Sequence, residues 1–250
     1  MIDLERPRDL GALLRDSLTV YLRHFGTFLA LGALVVVPSQ LIVGGLGLEQ
    51  LTSGYDPTPD LAETAIPAAV AYLVVAPLIT AICIHALRSV AAGGAPGTRE
   101  AIVKGFEAFT PIFFAVLLAA AGILLGLLLI VPGIYLFVRW YFVPQAVVIE
   151  GSSGAAALRA SGRLVTGAWW RTFGMVLLVN VIILLVGFLL GAPFTALADA
   201  TDRAIWWLAG QILAATVTSP FAALFSTLLY YDLRERKRAA AGAAPQQTVG

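Results

Sequence analysis

Arg139 is the one ionised side chain in an apolar run that extends over residues 108–149. A guanidinium in hydrocarbon costs about 2.5–3.5 kcal/mol on insertion scales, so the default expectation is a function with a partner. The chemistry open to it is recognition of a phosphate, carboxylate or solute, or snorkelling to a headgroup. Trp140 and Tyr141 follow it and suit the aromatic belt of a membrane interface. These three residues form a candidate lipid or ligand contact. Arg139 lies six residues after Gly133, roughly 9 Å along a helix. With a turn at Pro132-Gly133 on the outer side, the expected contact is the outer headgroup layer. Glu150 is about 16 Å further along one straight helix, too far for a direct pair. Gln145, Asn180 and Gln211 are the candidate intramembrane polar contacts, with Gln40 in a further span. Amide hydrogen bonds between helices, about 0.6–2 kcal/mol each, account for such residues; a substrate path is the alternative.

Catalytic and metal chemistry has little to work with. No H-E-x-x-H, G-x-S-x-G, P-loop or G-x-G-x-x-G pattern occurs. Ser219-Pro220 has no base in its span. The single cysteine, Cys83, excludes an internal disulfide and a thiolate cluster, and His24 and His85 cannot build a multi-histidine site. The expectation is a non-enzyme with no cofactor and no metal.

The elements that carry these residues are membrane spans. The chain is 59% apolar and 12% charged, with mean hydropathy +0.88, against roughly 25% charged in soluble domains. A bilayer crossing takes roughly 20 apolar residues. Six spans are predicted, at about 25–48, 65–87, 108–131, 134–149, 173–190 and 204–231. Val131-Pro132-Gly133 supplies the turn between the third and fourth. Residues 1–24 form an amphipathic leading segment, 25–231 the membrane domain, and 232–250 a basic, then disordered, tail. The first run, near Phe25, follows a charged stretch and is too long for a signal-peptide core, so it is expected to be retained.

The loops sort the charge. Fourteen of the sixteen Lys and Arg residues fall on one side: Arg6, Arg8, Arg15 and Arg23; Arg88, Arg99 and Lys104; Arg159, Arg163 and Arg171; Arg234, Arg236, Lys237 and Arg238. Arg203 falls on the other side, with Glu49, Asp56, Asp60 and Glu63 in the loop 49–64. The retention of Lys and Arg in the cytoplasm predicts both termini inside. The excess of Arg over Lys, with abundant Ala and Gly, suggests a bacterial chain, hence the cytoplasmic (inner) membrane. Net charge is +1, so no bulk field draws nucleic acid. The expected partners are the lipid bilayer, its anionic headgroups and an envelope protein; self-association is left open.

Each hairpin of spans follows an amphipathic stretch. Leu10, Leu13, Leu14, Leu18, Tyr21 and Phe25 recur at helical spacing. Ile102, Val103, Phe106 and Phe109 form a second stripe, and Leu158, Val165, Ala168 and Trp169 a third. Such helices lie in the headgroup plane with arginines toward anionic lipid, or serve as connectors packed on the bundle. Leu14-Arg15-Asp16-Ser17 followed by Arg23-His24-Phe25-Gly26 is echoed by Leu158-Arg159-Ala160-Ser161 and Arg171-Thr172-Phe173-Gly174. The echo predicts parallel units of amphipathic helix plus hairpin. Pro38, Pro77, Pro144 and Pro220 interrupt four spans, and Gly122-x-x-x-Gly126 and Gly187-x-x-x-Gly191 permit close packing.

The stretch Pro132-Gly133-Ile134-Tyr135-Leu136-Phe137-Val138-Arg139, with Pro144, Glu150-Gly151 and Ala157-Leu158-Arg159-Ala160-Ser161, carries a family resemblance. So does Leu229-Tyr230-Tyr231-Asp232-Leu233-Arg234. Together they resemble the bacterial family named for the membrane domain of glycerophosphoryl diester phosphodiesterases, and related six-span families of uncharacterised function. In such phosphodiesterases hydrolysis belongs to a separate barrel with acidic metal ligands, for which this chain has no matching cluster. The resemblance therefore implies architecture rather than activity: an all-α polytopic protein acting as a membrane scaffold or lipid-interacting module. A small permease with a path between the repeats is the alternative.

Overall fold

The computed structural model describes residues 4, 7–45, 54–56 and 61–242. The residues 49–53 and 57–60 of the predicted acidic loop, and the predicted disordered tail from 243, lie outside the described residues, as do 46–48 at the end of the first span.

Helix α1, Leu10–Arg23, starts where Asp9 caps it, its carboxylate accepting from the Ala12 N–H at 2.7 Å. After His24 the chain bends into α2, Phe25–Gly45. Helix α3, Leu61–Val70, runs through a π-helical turn at Ala71–Val75 into α4, Ala76–Ala91. Pro77 has no N–H to give the carbonyl four residues back. The wider turn just before it is the local adjustment to that missing bond. Helices α5, Thr98–Glu107, and α6, Phe109–Leu127, meet at Ala108.

The predicted fourth span is two short helices, α7, Val131–Arg139, and α8, Val143–Glu150. Residues 140–142 break them apart, and Pro144 sits in the first turn of α8, where its missing N–H costs nothing. Gly151, at φ +68°, stops α8 in a left-handed cap. Helix α9 is Gly154–Val165, α10 Trp169–Thr201 and α11 Ala204–Gly242. Helix α10 runs past residue 190, the predicted end of the fifth span, as far as Thr201. Its Ala- and Leu-rich sequence holds the helix until Asp202, which turns the chain at φ 50°.

The described residues are all-helical, and six segments are long and apolar enough to cross a membrane: Phe25–Val43, Thr64–Ala91, Phe109–Leu127, Val131–Glu150, Trp169–Thr201 and Ala204–Ala241. The fold class read from the sequence, an all-α polytopic membrane protein, is the observed one. Helix α11 is the axis. Its Leu224, Phe225, Leu228, Leu229 and Tyr230 are buried among Phe28, Leu31, Ile82, Leu87 and Val176. A second core joins α6, α8 and α9 through Ile112, Ala115, Ala119, Ala146, Ala157 and Ala160. Small residues allow the close approaches. A Cβ on Gly122 would fall 2.5 Å from the Trp140 ring, and one on Gly126 3.0 Å from Gly133. Gly187 and Gly191, by contrast, meet nothing. Leu124, Leu125, Leu184, Phe188 and Leu189 point outward, as a lipid-facing surface requires.

The three amphipathic stretches are α1, α5 and α9, each leading into a long helix. Helix α1 buries Leu13, Ser17, Val20 and Tyr21 and turns Leu10, Leu18 and Leu22 outward. In α5 the buried residues are the small Ala101 and Gly105, the latter seated on Ile82, while Val103 and Phe106 face out. Helix α9 buries Leu158 and Val165 and exposes Arg159 and Arg163, as its periodicity predicts.

Candidate functional site

At one end of the bundle a single carboxylate collects distant parts of the chain. Asp232 is fully buried. It accepts from the Arg8 backbone N–H at 2.6 Å, Arg171 Nη2 at 3.0 Å and Arg236 Nε at 3.0 Å. Arg171 and Arg236 each donate a second bond, at 2.7 Å, to the Arg8 carbonyl. The Arg8 side chain is buried too and donates to Asp16 at 2.8 Å. Its neighbours in sequence do similar work. Tyr230 donates to Glu150 at the end of α8, and Tyr231 accepts from Arg88 of α4 at 3.2 Å. Lys237 donates to the Arg163 carbonyl of α9. The ending Tyr230-Tyr231-Asp232 thus ties α11 to α8, α4, α10 and the leading segment. In the sequence Asp232 stands only as part of the resembling ending Leu229–Arg234, with no role attached. The available signal was an acid directly after a long apolar run and ahead of four basic residues.

The opposite end is marked by Asp202, which accepts from the Tyr55 N–H at 3.1 Å. That contact brings the described part of the loop 49–64 to the α10–α11 turn, as the sorting of charge predicts.

Tyr21 donates its phenol to the Val217 carbonyl at 2.8 Å, and burial pushes its pKa up to about 12. The exposed Glu100 is held below the usual carboxylate range by the hydrogen bond from Lys104.

Arg139 lies near the basic end rather than at an outer turn. Its Nη1 donates to the Tyr135 hydroxyl at 2.8 Å, and its guanidinium stands 5.8 Å from the centroid of that ring. A Cβ on Gly162 of α9 would come within 3.0 Å of its Nε. Tyr135 in turn stacks on Trp169, whose indole donates to the Tyr135 carbonyl at 3.3 Å. Trp169 is two residues from Arg171 of the Asp232 cluster. The expectation of outer headgroups rested on a straight helix descending from an outer turn. The α7 helix instead packs beside α9 and the start of α10. Ser161 secures the break after it, donating to the Arg139 carbonyl at 2.8 Å and accepting from the Phe142 N–H at 3.2 Å. Ser17, its counterpart in the echoed motif, donates within its own helix to the Leu13 carbonyl. The repeat is therefore one of layout, with different side-chain duties.

Trp140 and Tyr141 separate from Arg139 and turn to a cavity of about 310 Å³ among the spans. Gln145 and Asn180 also line it, so two of the three predicted polar contacts converge. Gln211 does not. It lines a neighbouring hollow between α10 and α11, with Asp199 and Thr195; Ile183 and Thr218 border both spaces. The cavity lies where the helices are irregular. The π turn contributes Tyr72, and Pro77, the 140–142 break with Pro144, and Ser219 next to Pro220 complete the wall. The prolines were legible in sequence; Tyr72, Thr80, Thr218 and Ser226 were not, since nothing local marks them.

The model of the family described as Domain of unknown function (DUF7847) matches residues 25–233. No curated protein and no solved structure matches the chain.

Proposed function

We propose that this chain, which belongs to the DUF7847 family, is a non-catalytic bacterial inner-membrane protein that works as a lipid-interacting scaffold, with both termini cytoplasmic. One observation carries the reading. The helices leading into the spans show apolar and basic side chains to the outside together. On α1 these are Leu18 and Leu22 with Arg15 and Arg23; on α5, Val103 and Phe106 with Arg99 and Lys104. At the start of α10 Trp170 is 79% exposed, and on the preceding α9 Arg159 and Arg163 are exposed. An apolar side chain that finds no protein partner at the membrane surface is satisfied by acyl chains, and its basic neighbours by phosphates. Arg139, half-exposed beside Tyr135 and Trp169, joins that ring as a headgroup contact. The likeness to the membrane domain of glycerophosphoryl diester phosphodiesterases contributes architecture only.

The test is lipid selectivity. The chain reconstituted in nanodiscs of mixed phosphatidylglycerol and phosphatidylethanolamine should enrich the anionic lipid around it. Replacing Arg15, Arg23 and Arg159 by Gln should reduce that enrichment several-fold, since each surface cation contributes about 1 kcal/mol near an anionic surface. Enrichment unchanged in the triple variant would sink the reading.

A second reading, a small permease, draws on the two hollows that share Ile183 and Thr218. They extend from Asp199 to Gln145 beside helices that carry proline inside them, Pro193 in α10 and Pro220 in α11, and proline-interrupted helices line solute paths.

A further inference from the structure

We propose that the cavity between α4, α8, α10 and α11 binds an uncharged, hydroxyl-bearing amphiphile drawn from the bilayer, with Gln145 Oε1 accepting the ligand's hydroxyl proton. The inference holds for either reading above, because it concerns occupancy and not transport.

Gln145 is the anchor. It is 2% exposed, and among the described residues its Oε1 has no hydrogen-bond partner. The orientation of the amide follows from its neighbour. Ser226 Oγ donates to the Ala223 carbonyl at 3.1 Å, so it accepts from Gln145 Nε2 at 3.0 Å. That leaves the carbonyl oxygen as the free end. A buried acceptor without a donor costs about 1–3 kcal/mol, so the site favours whatever supplies one.

The other polar walls are mixed. Thr80 donates to the Ala76 carbonyl, Thr218 to the Ala214 carbonyl and Asn180 Nδ2 to the Val176 carbonyl. The Thr80 and Thr218 protons are committed to their own helices, which leaves acceptor oxygens there, while Trp140, Tyr141 and Ser219 bring donors to the same wall. A ligand hydroxyl, which donates to Gln145 Oε1 and can accept in turn, suits that mixed lining. The ligand must also be uncharged, because among the described residues no Asp, Glu, Lys, Arg or His lines the cavity and an ion would be desolvated without a counter-charge. The aromatic rings of Phe137, Trp140 and Tyr141 take its apolar part.

Access is from the side. Tyr72 and Asn180 are both exposed and border the cavity. Asn180 is eleven residues into α10, roughly 16 Å along the helix, and so at mid-bilayer depth. The opening faces acyl chains, which selects a molecule already dissolved in the membrane over a solute from water.

The probe is a fatty alcohol carrying a diazirine in its chain, compared with its methyl ether, on the full chain in nanodiscs. Photolabelling by the alcohol should map to peptides holding Trp140–Gln145 and Thr218–Ser226 and exceed labelling by the ether. Gln145→Leu should reduce alcohol labelling there by about tenfold, the value of roughly one hydrogen bond. Ala222→Phe, which fills the cavity, should abolish it. Asn180→Leu alters only the rim and keeps the test open should a buried variant fold poorly; it should weaken labelling while unfolding at the wild-type temperature. Equal labelling by alcohol and ether, or labelling indifferent to Gln145→Leu and Asn180→Leu, would overturn the proposal. Efficient competition by an alkyl trimethylammonium ion would overturn the uncharged class, and competition by aqueous glycerol the bilayer source.

Discussion

Asp232 carries the most consequence of any single side chain. It sits without solvent exposure against Arg171 and Arg236 and the backbone of Arg8, 224 residues away. Asp232 is buried, but Arg171 and Arg236 keep 32% and 40% of their side-chain surface, so water compensates them in part once the carboxylate is lost. Asp232→Asn is therefore expected to lose about 1.5–3 kcal/mol, the value of a charge-assisted hydrogen bond, in denaturant unfolding in detergent. Adding Arg171→Gln should cost less than the sum of the two changes, because both report on one cluster. A wild-type midpoint for Asp232→Asn would show that the cluster contributes nothing net. Arg139 teaches a different lesson at the same scale. Its identity as the odd charge was plain in the sequence. Its surroundings were not, because Tyr135 is local but Gly162 reaches Arg139, and Trp169 reaches Tyr135, only through packing.

Among the elements, the turn between α6 and α7 departs most from expectation. A turn reaching the outer water would carry polar residues. This one reads Leu127-Leu128-Leu129-Ile130-Val131, with Leu128 81% exposed. Its backbone is satisfied internally: Leu129 donates to Gly126, Ile130 to Leu127 and Ile134 to Ile130. Backbone of that kind tolerates hydrocarbon. In a Cys83→Ala background, Leu129→Cys should resist a membrane-impermeant maleimide from both sides and react only after detergent is added. Rapid labelling in intact membranes would place the turn in water. The amphipathic helices were legible as elements from their period alone. Which face they bury was left open between headgroups and bundle: in α5 the stripe residues Val103 and Phe106 face out, and the small Gly105 packs on Ile82.

For the whole molecule, the sorting of basic residues has a physical counterpart. Residues that the sequence assigns to one side meet at one end, through Arg8, Arg88, Arg163, Arg171 and Arg236. Asp202 and Tyr55 meet at the other. The proposed orientation makes that second end periplasmic. Arg203→Cys, exposed beside Asp202, should label from outside intact cells, and Arg159→Cys only after the membrane is opened. The reverse pattern would invert the topology.

The apolar segments, their number and the sorting of basic residues along the chain were determined by the sequence alone. The transfer of a segment from water to lipid is a sum over its own residues, so it can be read locally. The partners of Arg139, the Asp232 cluster, and the meeting of Gln145 with Asn180 at one cavity were decided by tertiary structure. Each depends on how separate helices approach one another, and that approach is set by small residues and proline breaks acting together across the bundle.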